Sequence, residues 1–166
     1  MHIREVRLAD AEKLSALIKQ IDHDSKFMLW HSGERNLTPA VQLKMIESFL
    51  NKPNSTILVA EEGDELIGYL LANGGQAKKN RHSAYLVIGV AKAYQGKGIG
   101  ALLFEKLNEW ALNLGVRRLE LTVVTTNKSA VALYEKEGFN IEGIKKDSLF
   151  IENQFYDEYY MAKIYE

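Results

Sequence analysis

The chain has 166 residues, a length that suits one domain, and we expect a single domain over residues 1–166. Hydrophobic residues make up 46% of it and charged residues 26%, an ordinary globular composition that argues against disorder. Its 21 basic and 22 acidic residues leave a formal net charge of −1, which gives no electrostatic reason to expect a nucleic-acid partner. The absence of cysteine excludes disulfides, thiolate nucleophiles and cysteine metal sites.

The histidines bear on the prediction of a metal site, and the apolar runs bear on the prediction of a signal peptide or a membrane span. The four histidines, His2, His23, His31 and His82, include no pair spaced i, i+4, so a histidine metal site has little support. Residues 1–5 lack an apolar signal core, and no apolar run approaches the ~18 residues of a membrane span. We therefore expect a cytoplasmic protein with neither a metal centre nor a membrane partner.

The N-terminal part of the chain predicts one strand and two helices. His2–Val6 is typical of a short strand. From Asp10 to Ile21 the apolar residues recur on one helical face. They are Leu14, Leu17, Ile18 and Ile21. Thr38 and Pro39 are typical of the N-cap and first position of a second helix, which we expect to end near Leu50.

A β-hairpin is predicted next. The strands Ser55–Glu61 and Glu65–Leu71 flank the short turn formed by residues 62–64, which contains a glycine. The polar segment Gly74–Asn80 is predicted to be a loop. Its basic residues, Lys78 and Lys79, indicate a solvated tip rather than a binding patch.

The middle of the chain predicts a strand, a glycine-rich turn and a helix. Ala84–Val90 is apolar enough for burial on both faces of a sheet. The helix is predicted to run from Gly98 to Leu114, with Gly115 as its C-cap. The residues expected on its inner side are Leu102, Leu103, Leu107, Trp110 and Leu114.

The rest of the chain predicts a strand, a helix and two closing strands. The strand is Leu119–Val124, and the helix runs from Asn127 to Glu137, before Gly138. The closing strands are Phe139–Ile144 and Tyr156–Ile164. Strands and helices thus alternate in the middle and hairpins lie at the ends. This order predicts a mixed α/β domain with a central βαβ unit whose two strands are parallel.

The turn before the middle helix has the composition of an anion-binding loop. It consists of Gln95, Gly96, Lys97, Gly98, Ile99 and Gly100. Glycines let a ligand approach the backbone and expose consecutive N–H groups, while the following helix adds its positive N-terminal end. These features predict a phosphate or pyrophosphate site. The alternative is a turn that only packs the helix on the strand; a Walker loop is excluded because no Gly-Lys-Ser/Thr is present.

A Rossmann dinucleotide site is a second interpretation of the same turn. Gly96, Gly98 and Ala101 satisfy the G-x-G-x-x-G/A form, and Glu120 lies near the expected distance beyond them. However, Glu120 lies near the start of its predicted strand, whereas the ribose-binding acid belongs near a strand's end. Too little chain follows Glu120 for a second nucleotide half and a substrate domain.

A second block of residues favours a third interpretation. Residues 127–139 read Asn-Lys-Ser-Ala-Val-Ala-Leu-Tyr-Glu-Lys-Glu-Gly-Phe. This block resembles the Asn-x-x-Ala-x-x-Leu-Tyr-x-x-x-Gly-Phe pattern of the GNAT family of N-acetyltransferases, and the glycine turn resembles that family's Gln/Arg-x-x-Gly-x-Gly/Ala loop. The resemblance covers about Glu65 to Gly143, with the motifs in the family's order. It implies a GNAT-like acyl-CoA N-acyltransferase fold and acetyl-CoA as cosubstrate.

The resemblance also assigns residues to the coenzyme. It implies that the parallel strands part where residues 88–90 face residues 121–124, which opens a slot for the pantetheine arm. The backbones of Ile88 and Val90 would pair with that arm, and the glycine turn would hold the pyrophosphate. Gly89 would form a bulge that starts the separation or, alternatively, pack as a small residue under a helix. Asn127 would bond the pantetheine chain, cap the next helix, or do both.

The same family pattern assigns Tyr134 to the coenzyme sulfur, as the acid that protonates the leaving thiolate. A phenol with a pKa of ~10 stays protonated at neutral pH and can donate, although a purely packing role is the alternative. Many family members carry a glutamate at the position of Thr122, so the general base is unassigned here. Glu120 lies on the same strand face and is a candidate base, with a solvated or structural role as the alternative.

The acceptor side is implied to lie in Asp24–Arg35 and around Tyr156–Glu158. An apolar wall and two carboxylates in these segments would receive an amine: Phe27, Met28, Trp30, Glu34 and Asp157. The implied acceptor is an amine of a small molecule, an amino acid or a protein N-terminus, attacked directly in a ternary complex. Relatives are often dimers, which leaves a homodimer open. The competing hypotheses are a non-catalytic acyl-CoA sensor, favoured by the missing glutamate and opposed by Tyr134, and an NAD-dependent Rossmann oxidoreductase.

Overall fold

A computed structural model describes the chain from Met1 to Glu166. Its strands are β1 (His2–Glu5), β2 (Thr56–Glu62), β3 (Glu65–Gly74), β4 (Ser83–Val90), β5 (Arg118–Val124), β6 (Asn140–Ile151) and β7 (Gln154–Ile164). Its helices are α1 (Ala11–Asp24), α2 (Pro39–Leu50), α3 (Ile99–Leu114) and α4 (Lys128–Lys136). No helix combines the length and the apolar character needed to cross a bilayer.

The seven strands form one mixed sheet in the order β1-β2-β3-β4-β5-β7-β6. Strands β4 and β5 are parallel, with α3 as the connection between them, and the other neighbours are antiparallel. The predicted mixed α/β fold with a central βαβ unit and antiparallel hairpins at the ends is confirmed. A sheet with one parallel pair is not the doubly wound parallel sheet that a Rossmann fold requires.

Helices cover both faces of the sheet, and each face has its own core. One core joins α1 and α2 to the sheet and includes Leu14, Ile46 and Tyr69. The other joins α3 and α4 to the opposite face and includes Phe104 and Tyr134. The coenzyme motifs therefore belong to the second core, on the α3 and α4 side.

The predicted ends of α2 and α3 agree with the structure, but the predicted inner face of α3 is partly wrong. The Thr38 hydroxyl accepts a hydrogen bond from the Val41 amide, as an N-cap does. On α3, Leu102 and Leu114 are 37% and 52% exposed. The buried stripe consists of Ile99, Leu103, Phe104, Leu107 and Ala111. Because this helix is apolar on most of its circumference, the spacing of its leucines did not identify the inner face.

Two expectations about β4 also need correction. Tyr85 is 41% exposed, so the strand is not buried on both faces. The register of β4 on β3 runs without a shift through Gly89, which faces Tyr69, so there is no bulge at this glycine. A β-carbon on Gly89 would lie 2.8 Å from the Tyr69 ring and 3.1 Å from Ile21. Gly89 is therefore a small residue packed under α1, which was the alternative interpretation.

The closing strands are longer than the sequence predicted. Strand β6 extends to Ile151, and β7 begins at Gln154. Glu152 and Asn153 join them with φ values of 49° and 62°, a tight two-residue turn in which both residues are left-handed. Most of β6 is exposed, so it lacks the alternating apolar pattern from which its length could be predicted.

Candidate active site

Strands β4 and β5 are paired only at their beginnings. The pairs run from Ser83 with Arg118 to Tyr85 with Glu120, and no pair follows. From there on β4 continues on β3 and β5 continues on β7. The two parallel strands therefore part in the middle of the sheet, which leaves a gap between residues 86–90 and residues 121–124.

Backbone groups of β4 point into this gap. The His82 carbonyl accepts hydrogen bonds from the amides of Arg117 and Arg118, so it faces β5. Because successive residues of a strand direct their backbone groups to opposite sides, Ile88 and Val90 also face β5, where the gap has opened. The backbone of Gly89 points to β3 instead. The Val90 carbonyl accepts a hydrogen bond of 3.2 Å from the side chain of Gln95.

The glycine turn at the start of α3 presents unpaired amides. Gly96 and Gly98 have φ values of 73° and 82°, the left-handed conformation that favours glycine. No oxygen of the protein accepts from the amides of Gly96, Lys97 or Gly98, and the first bond of the helix runs from the Leu102 amide to the Gly98 carbonyl. The space beside the α-carbons of Gly96 and Gly98 is open to 4 Å. Consecutive free N–H groups in open space suit a diphosphate.

Neighbouring residues fix this turn in place. Ile99 is 3% exposed and belongs to the core, which anchors the first turn of α3. The Lys97 ammonium lies 5.1 Å from the centre of the Tyr94 ring and adds positive charge beside the amides. A β-carbon on Gly100 would lie 2.8 Å from the end of the Leu133 side chain, so α3 approaches α4 closely here.

Asn127 precedes α4, yet its side chain does not cap that helix. Its amide oxygen accepts a bond of 3.4 Å from the Ser129 hydroxyl, and no protein atom accepts from its amide nitrogen. The side-chain cap that was the alternative role is thus not formed. The donor group of Asn127 is available to a ligand.

Tyr134 combines a packed ring with an unpaired hydroxyl. The ring is 8% exposed, and its centre lies 5.8 Å from that of Phe104 and 6.1 Å from that of Phe139. The hydroxyl has no hydrogen-bond partner within the chain and is not sealed from solvent. Burial raises the pKa of this phenol above its ordinary value of 10.0, and the nearby phenols of Tyr85 and Tyr69 act in the same direction. Tyr134 is therefore a protonated donor at neutral pH.

A cavity of about 390 Å³ lies where β4 and β5 part. Its lining comes from four strands: Tyr85, Arg118, Glu120, Leu121, Thr122, Glu142, Tyr160 and Met161. The hydroxyls of Tyr85 and Thr122 are 2.9 Å apart, and Arg118 donates to both Glu120 and Glu142. Sequence reasoning found Glu120 and Thr122 but missed the other polar residues. Of the missed residues only Arg118 lies on β5, where polar positions alternate with core positions; Tyr85, Glu142 and Tyr160 come from three other strands.

The segment between α1 and α2 reaches the tip of the β6–β7 hairpin. Phe27 packs edge-on against Tyr156 at 6.0 Å, and the Lys26 ammonium lies 3.7 Å from Glu152. The segment is held to α1 by Arg35, which donates to both carboxylate oxygens of Asp22. The two segments that the resemblance assigns to the acceptor side therefore contact each other, but none of their residues lines the cavity.

Two carboxylates expected to attract the acceptor have partners within the protein. Glu34 accepts a hydrogen bond from the His31 amide at 2.9 Å. Asp157 accepts from the Asp147 amide at 2.8 Å and pairs with Lys146 at 3.3 Å. In this structure the two carboxylates therefore stabilise the chain around them through bonds to nearby backbone amides.

Comparison with known proteins agrees with this geometry. Residues 18–139 match the acetyltransferase (GNAT) family. The L-amino acid N-acetyltransferase AaaT of Escherichia coli is 32% identical over 119 residues, which cover 71% of this chain and 74% of that protein. The crystal structure of a GNAT-family acetyltransferase from Streptococcus pneumoniae is 34% identical, with a TM-score of 0.95 over 99% of both chains.

A more distant likeness concerns the fold alone. The phosphinothricin acetyltransferase of Sinorhizobium meliloti, whose crystal structure is a complex with acetyl-CoA, has a TM-score of 0.86 at 20% identity. The likeness covers 98% of this chain and 87% of that one. Taken with the parted strands and the free amides, the family match shows that the chain belongs to the GNAT family and is an acetyl-CoA-dependent N-acetyltransferase.

Proposed function

We propose that the chain acetylates the α-amine of a free L-amino acid by direct attack on acetyl-CoA in a ternary complex. The observation that carries this proposal is the gap between β4 and β5, which opens beside the pair Tyr85 and Glu120. The free amides of the glycine turn lie on the α3 side of the sheet. The cavity with Tyr85 and Thr122 lies beside the same gap. A thioester in the gap would be accessible to an amine in that cavity.

The residues present fit the coenzyme. The amides of Gly96, Lys97 and Gly98 would hold its pyrophosphate, with Gln95, Ile99 and Gly100 shaping the turn. The backbones of Ile88 and Val90, on either side of Gly89, would bind the pantetheine arm in the manner of an added strand. Asn127 offers its free amide group to the same arm. The bound coenzyme supplies an activated acetyl group as a thioester.

Tyr134 is the proposed acid. Its hydroxyl is unpaired in the protein, and its raised pKa keeps the proton on the oxygen at neutral pH. General acids of this kind commonly accelerate a reaction by about 10²–10⁴-fold. The ring is fixed between Phe104 and Phe139, so the hydroxyl has a defined direction. Tyr134 thus serves both as a core residue and as a donor to the leaving sulfur.

The acceptor is inferred from the size and lining of the cavity and from the relative. About 390 Å³ is within the range of small-molecule sites. Phe27 and Tyr156 pack together between α1 and the β6–β7 hairpin, outside the residues that line the cavity. AaaT, which matches most of the chain, acts on L-amino acids by its name. A free L-amino acid therefore suits the site.

The test is release of free thiol from acetyl-CoA in the presence of a panel of amines. The panel contains L-leucine, L-lysine, L-glutamate, spermidine and a short peptide with N-terminal alanine. We expect the highest kcat/KM with one of the three amino acids. Faster reaction with spermidine or the peptide would overturn the amino-acid assignment. Coenzyme binding in calorimetry without thiol release from any of the five would overturn acetyl transfer itself.

A further inference from the structure

The reaction needs a base that the Tyr134 assignment does not supply. A free alkylamine has a pKa near ~10 and is protonated at neutral pH, so a proton must leave before nitrogen can attack. Tyr134 is protonated and can only donate. Thr122, at the position where many family members carry a glutamate, pairs its hydroxyl with that of Tyr85 and cannot hold a negative charge. The base must therefore come from elsewhere.

Two carboxylates line the cavity, and their hydrogen bonds distinguish them. Both oxygens of Glu142 accept from Arg118, at 2.5 and 3.0 Å. Glu120 uses only Oε2, which accepts from the Arg118 Nε at 2.8 Å, so its Oε1 has no partner in the chain. Glu158 lies on the same face of the sheet, but it does not line the cavity, and it accepts from the Ser148 hydroxyl. Glu120 is the cavity carboxylate with a free oxygen.

The position of Glu120 relative to the gap strengthens this choice. It forms the last pair between β5 and β4, with Tyr85, and the gap begins immediately after it. Its side chain is on the same face as those of Tyr85 and Thr122, because paired residues and alternate residues of a strand share a face. The Arg118 guanidinium, between the two carboxylates, fixes the orientation of Glu120.

We propose that Glu120 is the general base and that the Arg118–Glu142 pair is its positioning device. This inference rests on the proposed function. An N–H bond of the acceptor ammonium breaks, and its proton passes to Glu120 Oε1, directly or through a water in the cavity. The nitrogen lone pair forms the bond to the acetyl carbon, the C–S bond breaks, and the sulfur takes the proton of Tyr134. The second proton released by nitrogen restores Tyr134, and Glu120 returns its proton to solvent.

The charged and titratable groups that face Glu120 come from each strand around the cavity. They are Arg118 on β5, Glu142 on β6, Tyr85 on β4 and Tyr160 on β7. Arg118 is the single cation among them, and both of its terminal nitrogens donate to the carboxylate of Glu142. With two carboxylates and one guanidinium, the cavity lining carries a net negative charge that attracts an ammonium group.

The test compares Glu120→Gln with Glu142→Gln. The amide of Gln at position 120 can still accept from Arg118, so the change removes the base with little change in shape. The acceptor is the amine of the panel above that the wild type acetylates fastest. We expect Glu120→Gln to lower kcat/KM by about 100-fold at pH 7, and the deficit to shrink toward pH 10 as free amine accumulates. Glu142→Gln should lose less than about tenfold at every pH.

Two further measurements separate chemistry from structure. The Kd for acetyl-CoA, measured by calorimetry, should be the same in both variants and the wild type, and so should the thermal midpoint within a few degrees. Glu120→Gln with wild-type kcat/KM and pH profile would overturn the base assignment and leave the proposed function intact. Equal losses in both variants at all pH values would show a structural role only. An inactive wild type that still binds acetyl-CoA would overturn the proposed function as well.

Discussion

Gly100 and Leu133 bring the two sequence motifs into contact. A β-carbon on Gly100 would lie 2.8 Å from the Leu133 Cδ2, closer than real side chains approach one another. Gly100 lies in the first turn of α3, and Leu133 precedes Tyr134 on α4. The helix that follows the proposed diphosphate site therefore packs directly on the helix that carries the proposed acid.

Gly100→Ala should be tolerated at a small cost. The close atom is a terminal methyl of Leu133, which can move aside, so the overpacking should cost about 1 kcal/mol of the free energy of unfolding. We expect urea unfolding to show that loss, and calorimetry to show an acetyl-CoA Kd close to that of the wild type. In the double variant with Leu133→Ala the two losses should not add, because the second change removes the clash. Additive losses would show that Leu133 is not the cause.

Gly98→Ala tests the amide cradle against a matched control. Gly98 has a φ of 82° and Gly115, at the other end of α3, has a φ of 69°, and neither has an atom in the way of a β-carbon. Both substitutions should therefore cost about 1–2 kcal/mol of stability through backbone conformation alone. Only Gly98→Ala should raise the Kd for acetyl-CoA, by about tenfold or more. Similar Kd values in the two variants would argue against this turn as the pyrophosphate site.

Tyr134→Phe should reduce turnover without loss of coenzyme binding. The expected fall in kcat is about 10²-fold, because one proton donor is removed while the ring packing remains. Tyr165→Phe is the control: it removes a half-buried hydroxyl that donates to Asn108, just after the end of β7, and it should leave kcat unchanged. Steady-state thiol release measures both. Wild-type kcat in Tyr134→Phe would remove Tyr134 from the mechanism.

The raised pKa of Tyr134 also predicts an alkaline stability difference. The unfolded phenol titrates near its ordinary value of 10.0, and burial raises the folded pKa above this. The contribution to stability is therefore complete below pH 10 and is lost as pH rises through the folded value. As pH rises above 10, the free energy of unfolding should therefore fall less in Tyr134→Phe than in the wild type. Parallel urea titrations at pH 8 and above pH 10 measure the difference, and identical slopes with pH would contradict it.

How much the sequence could predict depended on how local each signal was. The cap formed by Thr38 and Pro39 and the C-cap at Gly115 are set by neighbouring residues, so their positions agree with the structure. The separation of β4 and β5 was implied by family resemblance alone, because no periodicity in the chain marks where the pairing ends. The Gly89 bulge was wrong because the close approach of Tyr69 and Ile21 comes from β3 and α1.

The acceptor-side cavity was the least predictable part of the site. Tyr85, Arg118 and Glu142 come from β4, β5 and β6, which are brought together by β7 inserted between β5 and β6. Local pattern gives no information about that insertion. Glu34 and Asp157 were chosen by charge and chain position, but Glu34 accepts from the His31 amide of its own segment and Asp157 from the Asp147 amide on β6. Contacts between strands that are distant in the sequence could be identified only in the folded structure.

Asp22→Asn should affect the acceptor more than the coenzyme. The Asp22 side chain is 4% exposed and binds Arg35, whose side chain is 26% exposed, and this pair holds the segment implied to lie on the acceptor side to α1. We expect a stability loss of about 1–2 kcal/mol, less than for a fully buried pair, and a higher acceptor KM with an unchanged acetyl-CoA Kd. Glu109→Gln breaks the exposed pair with Lys106 on α3 and should change neither. A higher acetyl-CoA Kd in Asp22→Asn would contradict this division.

Asp10 should make stability fall in acid. Hydrogen bonds from the Arg4 guanidinium lower the pKa of the Asp10 carboxyl below its ordinary value of 3.8, and the Arg7 amide acts in the same direction. The folded pKa is thus below the unfolded one, so the stabilisation is present above pH 3.8 and is lost as pH falls through the folded value. Asp10→Asn should cost about 1–3 kcal/mol at pH 7, and the difference from wild type should shrink below pH 4. Urea unfolding at both pH values measures it, with Glu47→Gln on the exposed face of α2 as a control that should match wild type. A difference that stays constant with pH would show that Asp10 acts through packing and not through its charge.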